Sequence, residues 1–296
     1  MATLQNKIDF AVILRVEKAN PNGDPLNGNR PRTDYSNFGE MSDVSIKRKI
    51  RDRLLERWVN DGRKENDGNM IFVQSDDRKE DGAKSLRARA EAGLGKELGS
   101  EKTAELACKK WRDVRTFGQL FALKSNKKAG KKKEDGSDEE GDTGVSIGIR
   151  GPVTVQSAFS VEPIDISSLQ ITKSVSGEDT KDGKRGPDTM GMKHRVDQAV
   201  YVFYGSMNPQ LAERTGFSDA DAEALKQVLP MLFENDEAAA RPAGSMNVVK
   251  VVWWKHNCKS GQYSSARVHR SLTTMPDGQV EFVNLDGLKP EVIDGF

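Results

Sequence analysis

An alternation of apolar and polar residues near the start of the chain constrains its fold most strongly. Every second position carries an apolar side chain, namely Ile8, Phe10, Val12, Leu14 and Val16. Charged side chains stand between them at Asp9, Arg15 and Glu17. Because successive side chains of an extended chain point to opposite sides, this period of two indicates a strand. The pattern therefore predicts a strand over residues 8–17 with one buried face.

The remaining elements predict an α+β fold. A helix begins at Ser42-Asp43, whose side chains can cap it, and its buried stripe is Ile46, Ile50, Leu54 and Trp58. Strands are predicted at 70–73, within 145–161, and at 199–204, 247–255, 263–273 and 279–284. Further helices are predicted within 83–112, where glycines interrupt them, and over 218–233. The order β-α-β…β-α-β is ferredoxin-like, and another α+β sandwich is the alternative.

Composition excludes several classes of protein. The 296 residues suit one large domain or two ordinary ones. The longest aliphatic run, residues 11–14, is far shorter than the roughly 18 residues of a membrane span, and no secretory signal is evident. The cysteines, Cys108 and Cys258, are too few for a disulfide framework or a structural zinc site. We expect a cytoplasmic protein with no membrane partner.

The formal net charge of +1 conceals blocks of opposite sign. Residues 30–58, 173–195 and 241–274 carry +3, +2 and +6, whereas 213–240 and 275–296 carry −5 and −4. Such blocks can form a groove for a polyanion, complementary surfaces between copies, or solvated faces. The polar insertion 124–143 has no apolar residues to bury and is expected to be a mobile loop.

The residue pattern predicts no catalysis. The segment 93–99 lacks the first glycine and the Ser or Thr of a phosphate-binding loop. The histidines are His194, His256 and His269, and none has the spacing of a metal-binding pair. Cys258, two residues after His256, is better explained as a small core residue than as a nucleophile. We predict no catalytic residue, no metal site and no cofactor.

Nucleic-acid binding is better supported. On the predicted helix, Lys47 and Arg51, and likewise Lys49 and Arg53, lie one turn apart and could follow a phosphate backbone. An ordinary exposed helix face is the alternative for this row. Residues 115–118 match part of an RNA-recognition signature at Arg115, Phe117 and Gly118, although Phe117 would also suit a core.

The second polar insertion, 173–195, adds cations beside flexible apolar side chains. It ends with Met190, Met192, Lys193 and His194. Such a hairpin can hold phosphates while a methionine wedges between bases, and an exposed hairpin without function is the alternative.

Three motifs together resemble a CRISPR-associated family. They are residues 20–25 (Asn-Pro-Asn-Gly-Asp-Pro), residues 29–34 (Asn-Arg-Pro-Arg-Thr-Asp) and residues 44–52 (Val-Ser-Ile-Lys-Arg-Lys-Ile-Arg-Asp). Residues 113–118 and 148–154 also fit. The chain resembles the repeated backbone subunit of type I Cascade complexes, within the RAMP superfamily, and is most similar to the type I-C member.

The resemblance implies a hand-like single domain over 1–296. Its modified RNA-recognition-motif palm would comprise about 1–60, 144–165 and 196–296, with helical fingers at about 61–143 and a protruding thumb hairpin at about 166–195. The implied RNA-binding residues are Asn22, Arg30, Arg32, Lys47, Arg48, Arg51, Arg115, Phe117, Arg150, Met190, Met192, Lys193 and His194.

The implied function is non-catalytic binding of a guide RNA, with copies of the chain polymerising along it. The implied partners are the CRISPR guide RNA (crRNA), target DNA through the guide, further copies, and the repeat-processing or handle-capping, large and small Cascade subunits. Two alternatives remain open. The chain could be a RAMP-type endoribonuclease that processes the guide precursor, or a stand-alone RNA-binding protein.

Overall fold

The computed structural model describes residues 2–64, 67–123, 145–172 and 190–296. The helices in these ranges are α1 (Asp43–Asn60), α2 (Leu86–Leu94), α3 (Thr103–Lys110), α4 (Arg112–Phe117), α5 (Pro209–Thr215), α6 (Asp219–Val228) and α7 (Ser265–Arg270). The first strands are β1 (Ile8–Ala19), β2 (Gly23–Asp24), β3 (Arg30–Pro31), β4 (Phe38–Met41), β5 (Gly118–Leu123), β6 (Val145–Arg150) and β7 (Val153–Val155). The others are β8 (Ala158–Pro163), β9 (Ile166–Thr172), β10 (Met190–Met207), β11 (Met246–Lys255), β12 (Leu272–Thr274), β13 (Val280–Phe282) and β14 (Glu291–Asp294).

A large antiparallel sheet organises the chain. Its main path is β14-β11-β1-β10-β8-β4, and β7 and β9 also pair with β10. The central strand β1 lies between β10 and β11 and is antiparallel to both. Along the chain, β1, α1, β8, β10, α6 and β11 follow in the order β-α-β-β-α-β. The structure is thus the α+β fold that the sequence predicts.

The central strand is buried on both faces, so the prediction of one buried face is wrong. The face of Phe10 and Val12 packs in a core with residues of α1 and α6. On the other face Asp9, Ala11 and Ile13 are also fully buried. Residues from α7, β12 and the segment 285–288 cover this second face. The apolar Ala11 and Ile13 supply the surface that these later residues bury.

The start of α1 is fixed by two side chains. Ser42 is the N-cap and accepts a hydrogen bond from the Ser45 backbone N–H. The Asn22 Oδ1 accepts hydrogen bonds from the Ser42 backbone N–H (2.9 Å) and from its Oγ (3.0 Å). The predicted stripe from Ile46 to Trp58 is buried, as expected. Asn22 therefore ties the loop after β1 to the helix that follows it.

The residues from Met70 to Val73, predicted as a strand, form only a single bridge between Met70 and Trp111. The Asp113 carboxylate replaces a strand partner, because it accepts from the N–H of Phe72 (2.6 Å) and of Val73 (3.0 Å). Around this point Phe72, Trp111 and other residues of α2 to α4 form a core of their own. Residues 70–121, which we call the helical insertion, therefore have a core separate from that of the main sheet.

Other predicted elements differ in type or length. The predicted strand 263–273 is helix α7 followed by β12, because the Ser264 Oγ caps the helix at the Arg267 N–H. The predicted strand 199–204 is the middle of the much longer β10. The insertion 124–143 and residues 173–189 of the second insertion lie outside the described residues.

A buried ion cluster joins β1 to the C-terminal residues. The Asp9 Oδ2 lies 2.9 Å from His256 Nε2 and 3.1 Å from Lys7 Nζ. The His256 Nδ1 accepts from the Gln262 backbone N–H at 2.9 Å, so Nε2 carries the proton that it donates to Asp9. Burial alone would raise the pKa of Asp9, but the hydrogen bond from His256 and the nearby His269 and Lys7 outweigh it and hold this pKa well below its usual range.

We predict that Asp9→Asn destabilises the fold at neutral pH by about 3 kcal/mol, because it removes the charge from a buried ion cluster. A lowered pKa in the folded state means that the contribution of Asp9 is complete above its unfolded-state pKa of about 3.9 and declines as pH falls below it. The difference in free energy of unfolding between wild type and variant should therefore shrink below about pH 4. Urea unfolding at several pH values measures it, and a difference that stays constant across this range would contradict the proposed role of Asp9.

Candidate nucleic-acid interface

A groove with cationic walls runs between α1 and the helical insertion. It has a volume of about 530 Å³ and is lined by Arg48 and Arg51 from α1 and by Lys84 and Arg89 from the insertion. Val44 and Leu86, with 69% and 40% of their surface exposed, also line it. Cations interleaved with exposed apolar side chains suit a strand that has both phosphates and bases.

The cations of this face of α1 are oriented by carboxylates. Lys47 pairs with Asp43 at 2.8 Å, and Arg48 pairs with Asp77 at 3.3 Å. The Arg48 side chain nevertheless keeps 57% of its surface exposed. Ion pairs this exposed are weak, so a phosphate can replace the carboxylate partner at little cost. Lys84 is exposed as well, so a polyanion can reach both Arg48 and Lys84 in the groove.

Arg51 is held more firmly than Arg48. Its Nε donates to the Asp113 carboxylate at 3.1 Å, and its guanidinium lies 4.9 Å from the centre of the Phe117 ring. Only 13% of the side chain is exposed. Because Asp113 also holds Phe72 and Val73, one buried carboxylate positions both the groove wall and its arginine.

The second cation row expected on α1 does not face solvent. Lys49 is buried and pairs with Asp236, and Arg53 is buried and pairs with Glu56. Burial lowers the pKa of Lys49 to about 8, against the opposing effect of Asp236. Both residues lie on the core-facing side of the helix, where spacing alone cannot distinguish them from Lys47 and Arg51. The helix therefore presents one cationic row instead of two.

The loop after β1 connects the start of α1 to the β9–β10 hairpin. The Arg30 Nη1 donates to the Ser168 Oγ at 3.1 Å, and that oxygen lies 2.8 Å from His194 Nδ1. Asn22 anchors the other end of the loop at Ser42. Arg32 pairs loosely with Asp24 at 3.6 Å. Hydrogen bonds therefore join the predicted residues Arg30 and His194 through Ser168, and they join Asn22 to the first residues of α1.

Two exposed apolar residues of this loop, Leu26 and Tyr35, are not among the residues predicted from the sequence. Leu26 keeps 98% of its surface exposed and Tyr35 is completely exposed. Tyr35 could have been predicted from the sequence, because it is an aromatic residue within a turn-rich polar segment. A nucleic-acid base can stack on such a ring.

The described part of the hairpin presents alternating side chains. Met190 and Met192 expose 65% and 55% of their surface, while Lys193 and His194 are half-buried. Their partners across the ladder are Thr172 for Met190 and Gln170 for Met192. The two methionines therefore project from one face, at the end of the described ladder away from Ile166 and Val196.

Arg115 lies away from the groove. It is buried, and its Nη2 and Nε donate to the Asp221 carboxylate at 2.7 and 3.0 Å, which joins α4 to α6. Phe117 is half-buried beneath Arg51. Arg150 is exposed at the end of β6, where it pairs with Gly118. Arg115 thus contributes to packing in this structure, and Phe117 supports the arginine of the groove.

The described residues offer little for catalysis or metal binding. No group of three or more His, Cys, Asp and Glu side chains converges where it could hold a metal ion in the described ranges. Burial raises the pKa of the Cys108 thiol to about 11, so it is a poor nucleophile. None of the helices that the structure describes is long and apolar enough to cross a membrane.

Some residues of the basic blocks form ion pairs with residues of the acidic blocks of the same chain. Lys250 from a basic block pairs with Asp294 from an acidic block at 2.8 Å, because β11 and β14 are neighbours in register. Arg241 likewise pairs with Asp236 at 3.0 Å. These pairs within the chain are a further explanation for the blocks, beside a polyanion groove, surfaces between copies and solvated faces.

The described residues form an α+β fold with cationic side chains on a helix, a loop and a hairpin. Two solved structures resemble it. A chain of a CRISPR RNA-guided surveillance complex in a pre-nicking state has a TM-score of 0.46 and 16% identity, covering 90% of this chain and 84% of that chain. A chain of the Type III-B Cmr-beta complex bound to cognate target RNA has a TM-score of 0.41 and 10% identity, covering 83% and 60%.

Sequence comparison assigns the family. The CRISPR-associated protein Cas7 of Haloferax volcanii is 25% identical over 254 residues, which cover 82% of this chain and 68% of that protein. The family model described as CRISPR-associated protein Cas7 matches residues 6–286. The chain belongs to the Cas7 family.

We predict that Asp113→Ala lowers the free energy of unfolding by about 3 kcal/mol, because it leaves a buried arginine and two backbone N–H groups without their acceptor. The amides of Phe72 and Val73 should exchange their hydrogens faster. Hydrogen exchange measured by NMR checks this. The control Glu91→Ala removes an exposed carboxylate paired with Arg87 and should change stability by less than about 0.5 kcal/mol. If the backbone amides of Phe72 and Val73 in the variant exchange as slowly as in the wild type, this role of Asp113 is contradicted.

Proposed function

We propose that the chain is a non-catalytic backbone subunit that binds the guide RNA of a type I CRISPR Cascade complex, of the type I-C subtype. Two observations carry the proposal. Arg48 and Arg51 of α1 line a groove, and Arg30 of the loop after β1 is joined to His194 of the hairpin through Ser168. Membership of the Cas7 family supports the same role.

The sheet supports a palm built as a modified RNA-recognition motif. Four of its strands follow the order β11-β1-β10-β8, with α1 and α6 contributing to a common core on one face. The separately packed insertion suits the proposed fingers at about 61–143, and the β9–β10 hairpin suits the base of the proposed thumb at about 166–195. In this arrangement groove, loop and thumb line one path for RNA.

Electrostatics would supply most of the affinity of this surface. Each phosphate neutralised by Lys47, Arg48, Arg51, Arg30 or Arg32 releases condensed counterions, which favours binding without reading sequence. Met190 or Met192 would wedge between bases and unstack them, as apolar side chains do in other complexes. Sequence would then be read by base pairing between the guide and target DNA, while the protein holds the backbone.

Copies of the chain would polymerise along the RNA through contacts between two different faces. A contact that joins two different faces of identical copies is heterologous and generates an open filament, whose length the RNA would set. The further partners in this proposal are the repeat-processing or handle-capping, large and small Cascade subunits, in the cytoplasm.

The function is tested with RNAs of increasing length and with repeat-containing precursor RNA. A backbone subunit should bind in discrete steps, one more copy per added length of RNA, and should leave the precursor intact. Electron microscopy of the complexes should show periodic multimers, and gel analysis should show full-length RNA. Site-specific cleavage by the purified protein would support an endoribonuclease instead, and a single bound copy at every RNA length would support a stand-alone RNA-binding protein.

We predict that Arg48→Ala combined with Arg51→Ala weakens RNA binding and reduces its salt dependence. A plot of log affinity against log salt has a negative slope. Losing two phosphate contacts to a single strand should make this slope shallower by about 1.4. The matched control is Arg57→Ala, which removes a partly exposed arginine paired with Asp61 near the other end of α1. If the control changes the slope equally, or if the double variant leaves it unchanged, Arg48 and Arg51 are not part of the RNA interface.

A further inference from the structure

A second cavity lies within the helical insertion and has no role in the interface described above. It has a volume of about 590 Å³ and lies between the turn at 81–84, α2 and Trp111. It shares the wall residues Ala83, Lys84 and Arg89 with the cationic groove. A cavity of this size suits a small organic ligand, and the shared wall residues place it next to the groove.

Its walls leave space for a flat group. Gly82, Ala88, Ala92 and Gly93 line it without long side chains. Gly93 packs directly against Trp111, since a Cβ atom there would lie 2.4 Å from the Trp111 Cζ2. Trp111 is itself fixed by the tilted Phe72 ring, whose centre lies 4.7 Å away. The cavity is thus bounded by small residues, and the rigidly held Trp111 ring lies behind them.

Polar groups around the cavity indicate the chemistry of its ligand. Trp111 is fully buried, and its Nε1–H has no acceptor among the described residues. Buried donors of this kind are normally satisfied, and an acceptor atom of a ligand would satisfy this one. An aromatic ring with acceptor atoms meets this requirement.

The net charge of the walls is positive. Arg89 and Asp81 neutralise each other through two hydrogen bonds of 2.6 and 2.8 Å. Lys84, an exposed residue, and Lys110, whose Nζ donates to the Gly93 carbonyl at 3.2 Å, remain as cations. An anion attached to the ring would therefore be stabilised near the mouth of the cavity.

We propose that this cavity binds a nucleotide, with the base beside Trp111 and the phosphate near Lys84. The nucleotide is either a base turned out of the strand in the groove or a free nucleoside monophosphate. The first source rests on the proposed RNA-binding function, and the second is independent of it.

The test uses the full chain labelled with ¹⁵N. The sequence has four tryptophans, so the indole N–H signal of Trp111 can be assigned by its loss in Trp111→Phe. Adenosine or uridine 5′-monophosphate should move this signal saturably. Ala92→Leu fills the cavity from an exposed position of α2 and should abolish the shift. Ala266→Leu, an exposed alanine of α7 outside the cavity, is the matched control and should retain it.

A second variant tests the phosphate. Lys84→Ala should weaken binding of the monophosphate by about tenfold, the effect of one charge-assisted hydrogen bond, and leave the weaker binding of adenosine unchanged. Equal effects on both compounds would contradict a phosphate placed near Lys84.

Adding RNA identifies the source of the nucleotide. If the base comes from the strand, RNA moves the Trp111 signal and the monophosphate then adds nothing. If it is free, RNA leaves the signal in place and the monophosphate still moves it. A shift by the monophosphate without any binding of RNA would contradict the proposed function but retain this inference.

Three results would overturn the nucleotide site. The first is a Trp111 signal that neither monophosphate nor RNA moves. The second is a shift that persists unchanged in Ala92→Leu. The third is a signal that moves with protein concentration alone, which would show that a second copy occupies the cavity.

Discussion

Burial of β1 on both faces is the constraint on which the rest of the structure depends. One face forms a core with α1 and α6, and the other is covered by α7, β12 and the residues near Leu285 and Leu288. A strand buried in this way cannot tolerate an uncompensated charge, so Asp9 requires the donors that His256 and Lys7 provide. The first strand and the C-terminal residues are therefore stabilised as one unit, although hundreds of positions separate them in sequence.

The buried Asp113 carboxylate and the half-buried Asn22 amide position the candidate interface. Asp113 holds Arg51 together with the backbone of Phe72 and Val73, and Asn22 holds the loop at the start of α1. Neither residue needs to contact a phosphate to matter. They reduce the freedom of flexible cationic side chains and loops before any ligand arrives, which lowers the entropic cost of binding.

The near-neutral net charge of the chain reflects the pairing of its cations with carboxylates. Arg48 and Arg51 of the groove have carboxylate neighbours, and other cations pair across the sheet, as Lys250 does with Asp294. Exposed pairs such as that of Arg48 exchange partners easily, whereas Lys49 and Arg115 are committed to the packing of the chain. A count of charges in sequence cannot separate these two groups, since only burial and neighbours distinguish them.

The sequence by itself determined the local elements: the alternation of β1, the capped and striped helix α1, the glycine-interrupted helices of the insertion, and the motifs that indicate the family. Each depends on residues close together in the chain, where periodicity and capping act directly. Only the tertiary structure decided that β1 has two buried faces, that 70–73 pairs with Asp113 in place of a strand, and that 263–273 contains a helix. It also decided which cations face solvent. These outcomes depend on contacts between distant segments, whose energies outweigh the local preferences of a few residues.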